Sequence, residues 1–390
     1  MDLIMQIASV ETFTLKIRHT DAYLGVLPDG SDVPAGYQVR APWRSLYSPR
    51  FETLLVKVVA EDGTAGWGEA LAPVAPEVPA RIVDLLLAPA LTGQDALAPR
   101  PAWSRLRNLM RERGHLVGHQ ADALAAVDTA LWDLAGRLRG APVAALLGGA
   151  FRDRLPTYVS GLPRPTDPER AELAADWQAR GARAVKLHLG HGVAADLATV
   201  DAVRAAAPSL RIAVDAHWAY APAEARGLAA GLADRDCWFL EAPLAPEDED
   251  GHRRLAERSA LPLAVGETLR NRYEFARWLR GNALEIAQPD VARTGITEAM
   301  AIAELSSAHH VPVAPHHSVG LGVALAAGLH VSAAVEDLLV FEYQPTSTDV
   351  GSRILRSPLT VLPDHFPLPE GPGLGIDVDE EAVRHLAEKD

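Results

Sequence analysis

The feature that most constrains this chain is a series of short apolar runs, each followed by a segment with helical spacing. Strands that alternate with helices form βαβ units and hence a parallel sheet. Eight such runs predict a closed (β/α)-barrel within the α/β class. The runs are Pro156–Ser160, Ala184–Leu189, Arg211–Asp215, Cys237–Glu241, Leu263–Glu267, Leu284–Gln288, Val311–Pro315 and Leu338–Glu342.

Ionisable residues stand at or just beyond the ends of six successive runs. They follow one another at intervals of 23 or 26 residues, as Asp215, Glu241, Glu267, Asp290, His316 and Glu342. In a barrel, the carboxyl ends of the strands converge on one mouth, where active sites lie. One acidic residue after a strand is commonplace as a helix cap or in a solvated loop, but six in phase predict a shared site.

Three of these carboxylates suggest a metal centre. Asp215, Glu241 and Glu267 would repel one another in a mouth of low dielectric constant and resist ionisation. A divalent cation removes that conflict. Oxygen ligands without a nearby cysteine favour Mg²⁺ over Zn²⁺, so we expect these three residues to bind one Mg²⁺.

One arc of the predicted mouth carries basic side chains. Because side chains alternate along a strand, Lys186 and His188 are predicted to point into the mouth together. The same alternation over Asp215-Ala216-His217 predicts that His217 points there too. Each is a candidate catalytic residue because it lies in phase with the carboxylates.

The opposite arc carries a candidate acid–base pair. Asp290 ends the strand next to the one that precedes His316, so its carboxylate is expected to accept the N–H of that imidazole. Such an acceptor fixes the tautomer and leaves the other nitrogen free to take a proton. The adjacent His317 is predicted, by strand alternation, to face the other way.

The remaining composition restricts the class of partner and the compartment. The net charge of −14 argues against nucleic acid, but it leaves room for a small anionic substrate beside a metal. No apolar run reaches the length of about 20 residues that crosses a bilayer. A single cysteine, Cys237, and a first segment without signal-peptide pattern predict a cytoplasmic protein. We also expect a homo-oligomer, on general grounds.

The first part of the chain follows a different pattern. Phe51–Val59 and Gly66–Ala70 flank a turn and predict a hairpin. The loop Lys16–Arg50 is rich in Gly, Pro and aromatic residues, among them Tyr23, Tyr37, Trp43 and Tyr47, and predicts a lid. An amphipathic helix is predicted from Ala121 to Gly140. The predicted division is an N-terminal α+β domain at 1–125, the barrel at 126–345, and a segment at 346–390 that packs back on the N-terminal domain.

These residues resemble the enolase superfamily, and within it the mandelate racemase-like branch, over nearly the whole chain. The motifs VDAH, FLEAP and VGET hold Asp215, Glu241 and Glu267, and AQPDVARTGITEA and APHHSVGLG hold Asp290 and His316. ALAAVDTALWDLAGRLRGAPVAALLGG looks like the family's linker into the barrel, and GPGLGIDVD looks like its closing segment. The resemblance implies a modified (β/α)₇β TIM-type barrel under an α+β capping domain.

The resemblance also implies a reaction. In this superfamily, Mg²⁺ stabilises the enediolate that forms when a Lys or His base removes the proton next to a carboxylate. His188 stands where the branch often has a lysine base, whereas His217 resembles the third-strand acid–base histidine of certain sugar-acid dehydratases. We therefore expect dehydration of a sugar acid to a 2-keto-3-deoxy acid. Lys186 would neutralise the substrate carboxylate, and His217 would protonate the departing hydroxide.

Three alternatives remain open. A racemase or epimerase of a 2-hydroxy acid would use His188 and His316 as its two bases. A metal hydrolase of the amidohydrolase type requires His-x-His on the first strand, which Pro156–Gly161 lacks. A catalytically silent relative would be a structural or regulatory protein. Specificity is expected in the predicted lid, where Arg44 is a candidate contact for a distal polar group, and in Leu71–Pro79.

Overall fold

The computed structural model describes residues 5–18, 36–39, 44–113 and 116–387. Tyr23 and Trp43 of the predicted lid lie outside these ranges. The structure consists of an antiparallel sheet with its helices and a parallel barrel, as the α/β barrel prediction requires. No helix in the described ranges is long and apolar enough to cross a membrane.

The N-terminal part is built on a three-stranded antiparallel sheet. The predicted hairpin is confirmed, because β4 pairs with β5 on one side and with β1 on the other. A second hairpin, β2 and β3, belongs to the predicted lid. The strands are β1 Ile7–Ile17, β2 Gln38–Val39, β3 Leu46–Tyr47, β4 Phe51–Ala60 and β5 Ala65–Ala70. The helices are α1 Glu77–Ile82, which runs into a π-helical turn at Val83–Leu87, α2 Ala88–Leu91, α3 Pro99–Met110, which ends in a 3₁₀ turn at Arg111–Arg113, and α4 Gly118–Arg139.

Helix α4 is the predicted amphipathic helix, but its burial is two-sided. Leu131 and Leu134 pack with the N-terminal sheet, whereas Trp132 packs with the barrel. The sheet approaches so closely that a Cβ on Gly68 would overlap the carbonyl oxygen of Ala126. The helix ends at Gly140, whose φ of 64° suits glycine. The predicted domain boundary at 125/126 falls inside α4, and the division into domains stays a prediction.

The barrel follows the predicted order. Strands β6 to β11 are neighbours in sequence order, and β12 pairs in parallel with β6. The strands are β6 Arg154–Ser160, β7 Ala184–His188, β8 Arg211–Asp215, β9 Leu240–Glu241, β10 Leu263–Val265, β11 Ile286–Ala287 and β12 Phe341–Tyr343. The helices are α5 Val143–Leu146, α6 Asp167–Ala179, α7 Val193–Ala206, α8 Pro222–Ala233, α9 Glu249–Ala256, α10 Arg272–Arg280, α11 Val291–Thr294, α12 Ile296–Ala308 and α13 Gly322–Ala334.

The run Val311–Pro315 forms less strand than predicted. It is reduced to bridges from Val313 to Ala287 and to Leu338. Pro312 and Pro315 flank this point and have no N–H to donate, so a longer ladder cannot form there. These two bridges of Val313 nevertheless connect the segment to the strand regions on either side of it, around Ala287 and Leu338.

The barrel interior is filled rather than open. One buried layer takes a residue from each of the eight predicted runs, and large side chains are interspersed with alanine: Tyr158, Ala184, Ala213, Phe239, Ala264, Ile286, Ala314 and Val340. Such a packed layer is what a small parallel barrel requires. A site can therefore form only above it, at the carboxyl ends of the strands.

The segment after the barrel contacts both the barrel and the N-terminal sheet. It forms α14 Pro345–Ser352, β13 His365–Pro367 and α15 Glu380–Ala387. Strand β13 pairs antiparallel with β6 of the barrel. In α15, Arg384 reaches Glu11 of β1 at 2.8 Å.

A buried carboxylate joins the two parts of the chain. Glu69 of β5 is fully buried and accepts hydrogen bonds from the backbone N–H groups of Leu321 at 2.6 Å and Ala324 at 2.8 Å, at the start of α13. Its third donor is the Thr53 hydroxyl. Burial raises the pKa of Glu69 to about 7 despite these donors. The loop that carries His316 is thus tied to the N-terminal sheet.

Candidate active site

The predicted strand-end residues meet at one edge of the barrel. His188 of β7 is the register partner of Asp215, and Asp215 is the partner of Glu241. Farther round the barrel, Asp290 forms a bridge with His316. Because the strands are parallel, all of these side chains lie at the carboxyl-terminal mouth.

Lys186 lies between two carboxylates. Its Nζ donates to Glu241 Oε2 and to Glu342 Oε1, each at 2.8 Å. Burial alone would lower the pKa of Lys186, but the charges of Glu241 and Glu342 outweigh burial and raise it well above the ordinary value. Lys186 is therefore held as an ammonium ion and cannot serve as a base near neutral pH.

Glu342 accepts hydrogen bonds at both of its carboxylate oxygens. Its Oε1 also accepts from the Ser160 hydroxyl at 2.6 Å, and its Oε2 accepts from the backbone N–H of His317 at 2.9 Å. Burial opposes ionisation, but the charges of Lys186 and His316, together with the hydrogen bonds from Lys186 and Ser160, lower the pKa of Glu342 to about 2. Ser160 Oγ also lies 3.1 Å from Nε2 of His188. Burial lowers the pKa of His188 to about 4, so this imidazole is neutral.

The structure places Asp290 and His316 in direct contact. Asp290 Oδ2 accepts from His316 Nδ1 at 2.6 Å, while its Oδ1 accepts the backbone N–H of Ala292 at the start of α11. The other imidazole nitrogen, Nε2, lies 3.2 Å from Oε2 of Glu267. Burial would lower the pKa of His316, but Glu342, Asp290 and Glu267 together raise it well above its usual value. Carboxylates that face both imidazole nitrogens therefore favour the protonated form of His316.

His317 occupies a different environment from His316. Its ring stacks on Phe341, with centroids 5.9 Å apart, and its Nε2 is buried without a hydrogen-bond partner in the described structure. Burial lowers the pKa of His317. Of the two histidines, only His316 combines a carboxylate on one nitrogen with a second nitrogen facing the acidic cluster.

Asp215, Glu241 and Glu267 provide the donor chemistry of a metal site without forming a closed one. Within the described ranges, no three His, Cys, Asp or Glu side chains are arranged to hold a metal ion. Glu241 Oε2 is taken by Lys186 and by Nε2 of Gln288 at 2.7 Å, but its Oε1 is buried with no hydrogen-bond partner. Burial, reinforced by the charges of Asp215 and Glu342, raises the pKa of Glu241 to about 8. An all-oxygen set with one unsatisfied buried oxygen suits Mg²⁺.

His217 does not follow the strand alternation predicted for it. Strand β8 ends at Asp215, and the chain then turns, with positive φ at His217 (44°) and Trp218 (62°). The backbone N–H of His217 donates to Asp215 Oδ1 at 2.8 Å, and Trp218 Nε1 donates to Glu267 Oε1 at 2.9 Å. The side chain of His217 thus reaches the mouth from a turn, with Nε2 at 2.7 Å from the Tyr47 hydroxyl.

Four side chains of the mouth were not singled out by sequence reasoning as site residues: Ser160, Gln288, Trp218 and Tyr47. Ser160 and Gln288 end the first and sixth predicted runs, so extending the strand-end rule from ionisable to polar residues would have found them. Trp218 depends on the turn after β8, and Tyr47 comes from β3, in the N-terminal part of the chain. Arg44, the candidate specificity residue, is exposed.

Comparison with known proteins agrees with this architecture along most of the chain. Residues 49–148 match the mandelate racemase/muconate lactonizing enzyme N-terminal domain, and residues 169–382 match the enolase C-terminal domain-like family. The D-galactarolactone cycloisomerase of Agrobacterium fabrum is 33% identical over 366 residues, which cover 89% of this chain and 95% of that protein. A D-galactonate dehydratase of Ralstonia nicotianae is 33% identical over 85% of this chain and 90% of its own.

A solved structure gives the same result. An enolase superfamily member from Agrobacterium tumefaciens superposes with a TM-score of 0.92 at 37% identity, over 97% of this chain and 98% of the other. The agreement extends through both the N-terminal sheet and the barrel. The chain therefore belongs to the mandelate racemase-like branch of the enolase superfamily.

Proposed function

We propose that this protein is a Mg²⁺-dependent dehydratase that removes the α-proton of a sugar acid and eliminates water to give a 2-keto-3-deoxy acid. The observation that carries the proposal is the 2.6 Å contact between Asp290 and His316 at the mouth of the barrel. A carboxylate on one imidazole nitrogen orients the other and stabilises the imidazolium once a proton arrives. This is the arrangement that a general base needs.

His316 is assigned the removal of the α-proton. Its Nε2 faces the acidic cluster but contacts Glu267 at 3.2 Å, so it can accept a proton only when Glu267 has another partner. The residues that would hold the metal are Asp215, Glu241 and Glu267. When bound there, Mg²⁺ supplies positive charge for the substrate carboxylate and for the negative charge that develops as the proton leaves. Lys186 adds a second fixed positive charge.

His217 is assigned the second half of the reaction. Hydroxide is a poor leaving group and needs a proton as it departs, which a histidine can provide near neutral pH. His217 stands beside Asp215, across the mouth from His316. Base and acid on different strands permit removal of the α-proton by one residue and protonation of the β-oxygen by another.

A second candidate reaction is cycloisomerisation of a sugar-acid lactone, supported by the likeness to D-galactarolactone cycloisomerase. It begins with the same α-proton removal and expulsion of a β-oxygen. The difference is that the oxygen belongs to the substrate's own ring, so no water is lost. The same residues would serve both reactions.

The racemase alternative receives less support from the site. Racemisation needs a base on each side of the substrate carbon. Lys186 is fixed as an ammonium ion between two carboxylates, and burial makes His188 a weak base, with a pKa of about 4. Among the residues that the structure describes, the pairing of an imidazole with a carboxylate that suits a base lies on the His316 arc.

The decisive experiment is a screen of mono- and diacid sugars and their lactones in deuterated buffer with Mg²⁺. Dehydration gives a 2-keto-3-deoxy product lighter by one water, cycloisomerisation gives an open or rearranged product of unchanged composition, and racemisation gives only α-deuterium. His316→Asn should abolish α-deuterium incorporation, whereas His317→Asn is the matched control. If α-deuterium incorporation survives in His316→Asn but is lost in His317→Asn, the assignment of His316 as the base is wrong. Full activity in excess chelator would refute the metal requirement.

A further inference from the structure

The side chain that covers His217 comes from the capping domain. Tyr47, at the end of β3, places its hydroxyl 2.7 Å from Nε2 of His217, and the two rings lie with centroids 6.3 Å apart. Nε2 is the outer nitrogen of the imidazole, the one that projects farthest from the backbone. The nitrogen of His217 that projects into the mouth is therefore already in contact with a hydroxyl.

Tyr47 is held in this position by a buried carboxylate. Its hairpin is closed by pairing with Gln38, and the next residue, Ser48, donates to Oε1 of Glu52 at 2.5 Å. Tyr37 of the same hairpin donates to Oε2 of Glu52 at 2.9 Å. Glu52 lies in β4 and is only 1% exposed. The hairpin is thus attached to a rigid sheet on one side and delivers a hydroxyl to the barrel on the other.

We propose that Tyr47 is a catalytic residue, whose hydroxyl passes the proton of His217 to the departing oxygen. The proposal rests on the elimination reaction proposed above. As the bond between the β-carbon and oxygen breaks, its electron pair goes to that oxygen, which takes the Tyr47 proton. Tyr47 takes the proton from Nε2 of His217, and His217 becomes neutral. The α-proton remains on His316, so one water leaves and the enol product follows.

The arrangement has a consequence for the order of events. A tyrosine hydroxyl both donates and accepts a hydrogen bond, so it can give one proton and take another in a single relay step. Because Tyr47 belongs to the capping domain, the acid is complete only when the β2–β3 hairpin lies on the barrel. Removal of the α-proton, by His316 of the barrel, does not need that contact. The two half-reactions should therefore respond differently to loss of the Tyr47 hydroxyl.

The test compares wild type with Tyr47→Phe on two probes. The first is the sugar acid whose α-proton wild type exchanges, and the second is its analogue with chlorine in place of the β-hydroxyl, because chloride leaves without a proton. Tyr47→Phe should slow loss of water by at least about 10²-fold, the usual contribution of general acid catalysis. The rates of α-proton exchange and of chloride loss should stay within about threefold of wild type, because neither step needs a general acid.

Two further variants separate a relay from a structural anchor. Tyr37→Phe removes a hydroxyl that bonds Glu52 but does not touch His217, so it should lower the ratio of water loss to chloride loss far less than Tyr47→Phe does. Combining Tyr47→Phe with His217→Asn should cost no more than the larger single effect, since residues in series are not additive. If Tyr47→Phe slows elimination of water and of chloride equally, or does not slow elimination of water, the catalytic role of Tyr47 is wrong and the proposed function is unaffected. Failure of wild type to exchange the α-proton of any acid sugar would overturn the proposed function as well.

Discussion

Replacing Lys186 by methionine should destabilise the protein strongly, and more at neutral than at acid pH. Lys186, Glu241 and Glu342 are at most 1% exposed, and the ammonium contacts both carboxylates at 2.8 Å. Methionine nearly preserves the volume of the side chain but leaves the ionised Glu342 carboxylate and the carboxyl group of Glu241 buried without their cation. Removing one partner of a buried ion pair costs about 3–5 kcal/mol.

The pKa of Glu342 gives a second estimate of how much the ionised carboxylate stabilises the fold, and it gives the direction in which that stabilisation changes with pH. A shift from 4.5 to about 2 corresponds to about 3 kcal/mol of stability, at about 1.4 kcal/mol per pH unit. A lowered carboxyl pKa stabilises the folded state above pH 4.5, and that contribution is lost as pH falls towards 2. Without Lys186, burial raises this pKa instead. The deficit of the variant should therefore be largest near pH 7.5 and shrink towards pH 5.

Urea unfolding at pH 7.5 and pH 5, with chelator present, measures this deficit. Lys57→Met is the matched control, because Lys57 also meets a carboxylate, Glu380, at 2.8 Å but in a partly exposed position. Such surface pairs are worth about 0–1 kcal/mol. Adding Glu342→Gln to Lys186→Met removes one stranded charge and should recover part of the loss. A deficit no larger than that of the Lys57 control, or one that does not shrink at pH 5, would refute the reasoning.

Three further predictions concern single carboxylates. Asp290→Asn should slow exchange of the α-proton by about 10³-fold or more, because it keeps the shape but removes the charge beside His316, while circular dichroism should stay that of wild type; exchange rates measured by NMR test this. Glu241→Gln should abolish turnover and weaken Mg²⁺ binding by calorimetry, while circular dichroism stays that of wild type. Glu69, with its pKa raised to about 7, should make wild type lose about 3 kcal/mol relative to Glu69→Gln as pH rises from 4.5 to 7.5. A flat difference in unfolding free energy over that range would show that Glu69 is not protonated in the folded state.

The barrel could be predicted because its signals are local. Each strand is a short apolar run that is buried on both faces, and parallel pairing places every strand end at the same edge. The proximity of Asp215 and Glu241, which are register partners in the structure, could therefore be predicted without knowing where the intervening helix lies. The run around Val313 departs from the pattern for an equally local reason, since the flanking prolines cannot donate to a ladder.

The side-chain partners could not be predicted in the same way. His217 was placed in the mouth by strand alternation, which fails after Asp215 because the backbone turns to positive φ. The contact of His217 with Tyr47 joins residues 170 positions apart, and it depends on how the β2–β3 hairpin lies over the barrel. Strand periodicity carries no information about that placement. The same holds for Glu69, whose donors belong to α13.

Charge balance connects the proposed metal to the proposed base. The mouth holds five carboxyl groups, opposed by the cations of Lys186 and His316 and by the nearby Arg293: Asp215, Glu241, Glu267, Asp290 and Glu342. Carboxylates that face both nitrogens of His316 favour its protonated form, and a protonated imidazole cannot act as a base. A divalent cation held by Glu267 and its neighbours competes with that proton, because both neutralise the same negative charge. Metal binding and deprotonation of His316 Nε2 are therefore expected to occur together, so the site becomes basic only when it can also stabilise the charge that its base creates.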